Sequence, residues 1–152
     1  GGSEEPARER ISMTEPFTHE IRVGWGDCDP ARIAYTANIP AWALEAIEAW
    51  WEHLLGGPGW YHVEFDLGWG TPFVHMELDF RAPITPRHRL ICTVTPTRLG
   101  TRSIAFRVTG SQADSLCFEG AFVCVFIRAG SLAKRDVPPE VRHAVTLLLA
   151  PA

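Results

Sequence analysis

Lysine is nearly missing from this chain: Lys134 stands alone beside thirteen arginines in 152 residues, and the formal net charge is −4. No stretch concentrates those cations. Nucleic acid needs a dense positive surface to neutralise its phosphates, so no nucleic-acid partner is expected. The arginines suit a few local, bidentate contacts to an anionic ligand, although a composition bias alone would also account for them. Long apolar runs are missing as well. The longest, Ala121 to Ile127, has seven residues, whereas a membrane helix needs about 20, so no membrane partner is expected. None of Cys28, Cys92, Cys117 and Cys124 shows C-x-x-C spacing, and residues 1–12 carry Glu4, Glu5 and Glu9 with no apolar stretch to serve as an export signal. The cysteines therefore read as reduced core thiols of a cytoplasmic protein.

Several chemical engines are absent too. The sequence holds no G-x-S-x-G elbow, no G-x-x-x-x-G-K-[ST] phosphate loop and no H-E-x-x-H pair. Gly24-Trp25-Gly26 has Asp29 where a dinucleotide fingerprint needs its third glycine. The six histidines are scattered singly and offer no ligand pair, so no metal is expected.

What remains is an ordinary globular composition, 46% hydrophobic and 21% charged, in a chain of one-domain length. Residues 1–12 are expected to be a disordered or vector-derived tail, and residues 13–152 a single domain. Phe17, His19, Ile21, Val23 and Trp25 alternate with polar or small neighbours, a strand pattern, before the turn-forming Gly26-Asp27-Cys28-Asp29-Pro30. From about Thr36 the period becomes helical: Ile39, Trp42, Ala43, Ala46, Ile47, Trp50 and Leu54 recur on one face. Thr36 or Asn38 can cap this helix, and Gly56-Gly57-Pro58 ends it. Residues 59–70 read as a loop with a short strand at His62 to Phe65. Strands follow around 74–80, 90–94 and 104–108 and through the continuous run Cys117 to Arg128, and Pro138 opens a short C-terminal helix. The pattern is α+β: a five-stranded antiparallel sheet with one long helix to cover it. Apolar residues on both faces of 117–128 favour a second subunit against the sheet.

Asp27 and Asp29 are the chemical focus. Asp-x-Asp-Pro is good turn chemistry, and a turn alone would explain it. The turn also delivers a carboxylate beside the N-terminus of a helix, whose free N–H groups can polarise a carbonyl oxygen. A carboxylate facing that carbonyl carbon can act as nucleophile or as general base for water.

The segment Val23-Gly24-Trp25-Gly26-Asp27-Cys28-Asp29-Pro30-Ala31-Arg32-Ile33-Ala34-Tyr35-Thr36-Ala37-Asn38, followed by a Trp-rich helix, resembles the hotdog-fold acyl-CoA thioesterases of the 4-hydroxybenzoyl-CoA thioesterase branch. Gly70-Thr71-Pro72-Phe73-Val74, Leu78 to Pro83 and Leu99 to Ile104 are similar to later parts of the same pattern. The resemblance implies a long central helix wrapped by the sheet. It also implies hydrolysis of an acyl-CoA without a cofactor, the CoA being part of the substrate. It makes Asp29 the catalytic carboxylate and the backbone N–H at Thr36, with Tyr35 beside it, the holder of the thioester oxygen. Asn38 becomes a cap and loop organiser, and Gly70, Thr71 and Pro72 border the site across an interface between subunits. A homodimer, assembling further to a homotetramer, is implied.

Trp25, Tyr35, Trp69 and Phe73 are the expected acyl-pocket lining, suited to an aromatic or medium-length acyl group, although core packing explains aromatics equally well. Arg98, Arg102 and Arg128 are the candidate holders of CoA phosphates. Arg32 departs from the pattern, standing where a glycine is usual. Thr36-Ala37 and His88 depart as well, which leaves the acyl group open. Two other readings compete with an enzyme: a non-catalytic module binding acyl-CoA or an acyl carrier protein, and a purely structural turn.

Overall fold

The computed structural model describes residues 16–149; the expected tail at 1–12 lies outside them. Five strands form one antiparallel sheet: β1 (Phe17–Ile21), β3 (Phe73–Phe80), β4 (Leu90–Leu99), β5 (Ser103–Gln112) and β6 (Ser115–Val125), in the order β1-β4-β5-β6-β3. Consecutive strands β4, β5 and β6 pair by short hairpins, so their register follows from the turns and from the inward apolar set. That set is Leu90, Cys92 and Val94 on β4, Ile104, Phe106 and Val108 on β5, and Phe118, Phe122 and Cys124 on β6, all buried. Burial pushes the Cys92 and Cys124 thiols up to about 12, because a thiolate is disfavoured away from water.

Between the edge strands β1 and β3 the chain runs through α1 (Asn38–Leu55), whose buried residues Ile39, Ala43, Ala46, Ile47, Trp50 and Trp51 form one helical stripe against the sheet. Trp50 and Trp51 meet Phe106 edge-on, with ring centroids 4.9 and 6.2 Å apart. The sheet wraps this helix as the hotdog pattern requires. The helix ends where Gly56 takes φ +73° and donates its N–H to the Glu52 carbonyl at 2.8 Å. A short helix, α2 (Gly59–His62), follows α1, and the C-terminal helix α3 (Pro139–Leu149) buries Val141 and Val145. No helix of the described residues is long and apolar enough to cross a membrane.

Three boundaries differ from the sequence expectation. The first strand stops at Ile21, and Trp25–Asp27 is a 3-10 turn, closed by the Asp27 and Cys28 N–H groups on the Gly24 and Trp25 carbonyls at 3.0 and 3.1 Å. His62 to Phe65 is helical: α2 runs straight into a π-helical turn at Val63–Leu67, closed by Gly68 at φ +82°. The run Cys117 to Arg128 breaks at the buried Phe126. β7 (Ile127–Arg128) leaves the main sheet and pairs with β2 (Trp69–Gly70), with Trp69 opposite Arg128 and Gly70 opposite Ile127.

Candidate active site

The turn between β1 and α1 folds back on itself as a small hairpin. Cys28 bridges Ala34, Asp29 donates its N–H to the Ile33 carbonyl at 3.1 Å, and Arg32 donates to the Asp29 carbonyl at 2.9 Å. This is a three-residue loop with a left-handed last position, normally a place for glycine. Arg32 occupies it at φ +67° and accepts the strain. The Ala34 N–H donates to the Ile84 carbonyl at 2.8 Å and ties the hairpin to the loop after β3.

The two aspartates are used differently. The Asp27 carboxylate accepts the Gly24 N–H at 2.8 Å. Its carbonyl accepts both the Tyr35 N–H and the Asn38 side-chain amide, each at 2.8 Å. Asp27 therefore fastens the turn to the first residue of α1. Asn38 does not cap by its side-chain oxygen; Ala37 occupies the cap position in helical conformation and makes no side-chain hydrogen bond. The Asp29 carboxylate is half-buried and accepts one bond, from the Ala31 N–H to Oδ1 at 2.8 Å. Its second oxygen has no partner among the described residues. At the other limb of the hairpin the N–H of Thr36 likewise has no acceptor among the described residues, at the start of an 18-residue helix. The hairpin thus carries Asp29 on one limb and leads into Thr36 just past the other, ahead of the helix cap at Ala37. Trp25 and Tyr35 flank this turn and are 73% and 53% exposed.

The remaining expected residues are dispersed over the molecule. Trp69 is 1% exposed and packs on Trp51 and Phe126 at 5.5 Å, inside the core and away from any open surface. Gly70, Thr71 and Phe73 line a cavity with Leu44, Trp60, Val63 and Glu64; Pro72 beside them is exposed. Arg102 and Arg128 come together in a cleft of about 560 Å³ with Lys134 and Arg135 and one carboxylate, Asp136, which accepts the Arg102 Nε–H at 2.9 Å. Arg98 is exposed on β4 and does not line it. Lys134 and Arg135 escaped the sequence reading because β7 and the stretch after it fold back, Arg128 donating to the Ala133 carbonyl and Arg135 to the Phe126 carbonyl, both at 2.9 Å. Among the described residues no three His, Cys, Asp or Glu side chains gather as a metal site would need.

A single antiparallel sheet rolled around one helix, with a carboxylate turn at the helix start, defines a hotdog-type domain. Residues 23–145 match the family model of the Thioesterase-like superfamily, and the chain belongs to that superfamily. A crystal structure of a thioesterase-superfamily protein from Jannaschia sp. CCS1 is 51% identical, with a TM-score of 0.87 over 90% of this chain and 95% of that one. A 1,4-dihydroxy-2-naphthoyl-CoA hydrolase of Nostoc punctiforme is 24% identical over 82% of this chain and 83% of its own. The fold is also that of a mutant 4-hydroxybenzoyl-CoA thioesterase crystallised with 4-hydroxybenzoyl-CoA, at 22% identity and a TM-score of 0.76, covering 86% of this chain and 98% of that one.

Proposed function

We propose that this protein hydrolyses an acyl-CoA thioester to the free acid and CoA, with Asp29 acting on the thioester carbonyl carbon. The observation that carries the reading is the free Asp29 oxygen in a turn that ends at the unpartnered Thr36 N–H. The oxygen developing negative charge is held at that N–H, where the helix dipole adds to the hydrogen bond. Asp29 either adds to the carbonyl carbon itself or takes a proton from the water that does. When Asp29 adds, the C–S bond breaks, CoA leaves as the thiol, and water then cleaves the acyl-Asp29 anhydride to free the acid and restore the carboxylate. When Asp29 is the base, the water it deprotonates adds and CoA leaves as the thiol. Either route consumes one water, so no cofactor is required. The acyl group is aromatic or of medium length, in keeping with the exposed Trp25 and Tyr35 and with the aromatic acyl groups named for the two relatives above. The cleft of Arg102, Arg128, Lys134 and Arg135 suits the CoA phosphates, which lie outside an apolar pocket and need cations.

The working unit is a homodimer, assembling further to a homotetramer. β3 supports this: it is an eight-residue edge strand with Val74, Met76 and Phe80 exposed, a kind of edge that soluble proteins normally cover. A cytoplasmic setting fits the buried free thiols of Cys92, Cys117 and Cys124. The test is free-thiol release from a panel of benzoyl, hydroxybenzoyl, phenylacetyl and aliphatic CoA esters, with sedimentation of the same protein. Rapid release from one class by a dimer or larger species is expected. Tight binding of CoA esters with no thiol release would replace this reading by that of a binding module.

A further inference from the structure

At the end of β4 opposite the Arg102 cleft lies a second cationic pocket, of about 280 Å³, whose walls include Arg22, Trp25, Arg87, His88 and Arg89. β4 is ten residues long, which sets the two about 30 Å apart. Two segments build the pocket. β1 pairs with β4 as far as Ile21 opposite Leu90, and the same register continued puts Arg22 opposite Arg89. Like charges facing each other across a strand pair repel. The second segment, the loop between β3 and β4, is pinned by the side chain of Gln112, which is 6% exposed. That amide accepts the Thr85 N–H at 3.0 Å and donates to the Thr85 and His88 carbonyls, each at 2.7 Å. Arg87, His88 and Arg89 therefore stand on a fixed backbone. Arg81 and Arg107 have Glu119 as counter-charge, and Arg102 has Asp136. Among the described residues none of Arg22, Arg87, His88 and Arg89 forms an ion pair. The Asp27 carboxylate of the adjoining turn is taken up by the Gly24 N–H.

We infer that this pocket is a second anion site, which holds the phosphates of a free nucleotide with the base laid on Trp25. An arginine fork matches a phosphate two bonds at a time, and a polyanion between Arg22 and Arg89 turns their repulsion into a shared attraction. Trp25 stands in the same wall and is 73% exposed, a face on which a base stacks. A phosphate alone leaves that ring in water, and a neutral ring leaves the arginines unpaired; a nucleotide meets both. His88, which departs from the thioesterase pattern, adds a further nitrogen to this wall. The phosphates of an acyl-CoA have the Arg102 cleft at the far end of β4, so the occupant here is a separate molecule. The pocket's charge is the same whatever ester the chain cleaves, and the inference stands apart from the thioesterase reading.

The test is calorimetric titration of pyrophosphate, ADP and CoA into the wild type, Arg22→Gln, Arg89→Gln, Trp25→Leu and Arg102→Gln, with thermal melting of each protein. The wild type is expected to bind ADP more tightly than pyrophosphate, and both more weakly as salt rises. Arg22→Gln and Arg89→Gln each weaken both probes about tenfold or more. Neither lowers the melting temperature of the ligand-free protein, because each removes one of two facing like charges. Trp25→Leu weakens ADP about tenfold and leaves pyrophosphate unchanged. Arg102→Gln keeps the ADP affinity of the wild type, and ADP stays bound when CoA is added in excess. No heat and no melting shift from either probe would overturn the inference. ADP binding lost in Arg102→Gln but kept in Arg89→Gln would put the anion in the other cleft and overturn it too. So would CoA that displaces ADP and itself binds less tightly to Arg22→Gln and Arg89→Gln, since the pocket would then serve the substrate.

Discussion

Asp27 and Asp29 stand two residues apart in one turn, and their surroundings divide the labour between them. Asp27 turns both its carboxylate and its carbonyl toward backbone and side-chain donors of the turn itself, from Gly24, Tyr35 and Asn38. Asp29 gives one oxygen to the Ala31 N–H and keeps the other open. The two side chains are alike in holding one N–H each, but the Asp27 carbonyl takes donors from Tyr35 and Asn38 whereas that of Asp29 takes only the Arg32 N–H of its own loop. What sets Asp27 apart as a fastening is therefore its carbonyl, which holds the segment 35–38 at the start of α1.

Substitutions on the fastening side should therefore read out in stability. Asp27→Ala leaves the Gly24 N–H without its acceptor and is expected to cost about 1–2 kcal/mol, read from chemical denaturation. Activity should fall about tenfold with it, because the turn that aims Asp29 loosens. Asn38→Ala removes one of two donors to the Asp27 carbonyl and should cost about 1 kcal/mol in the same measurement.

Arg32→Gly runs the other way. Glycine relieves a left-handed residue at φ +67°, and the gain net of glycine's larger unfolded-state entropy is roughly 0.5–1 kcal/mol, seen as a higher midpoint. The smallest expected effect concerns Cys28, between the two aspartates. It is half-buried, whereas burial pushes Cys92 and Cys124 up to about 12. A thiol reagent should modify Cys28 first in the native protein and reach Cys92 and Cys124 only on unfolding, as peptide mapping would show.

How much of this was legible in the sequence depends on whether the signal was local. The α1 stripe from Ile39 to Trp51 was readable because a helix writes its burial at a fixed period. The carboxylate turn was readable because its residues are contiguous. Which aspartate ties the turn to the helix was not, since that depends on Tyr35 and Asn38 closing on the Asp27 carbonyl. Trp69 looked like a pocket aromatic, but composition cannot tell a lining tryptophan from one stacked on Trp51 and Phe126. Glu64 and Trp60 went unread because β2–β7 pairing and the π-helical turn bring residues 60–73 to one cavity beside Gly130. A π-helical turn has no periodic signature over five residues. The short strand expected at His62 to Phe65 failed for that reason: four residues of mixed aromatic and charged character fit either form.

The division of labour between the aspartates is tested most directly by Asp29→Asn, measured for free-thiol release on the best acyl-CoA and for thermal melting in the same buffer. Asparagine keeps the acceptor for the Ala31 N–H and removes the charge. The account predicts turnover down by about 10³-fold or more with a melting temperature within about 2 °C of the wild type. A variant that melts like the wild type and still releases thiol within about tenfold of its rate would contradict it.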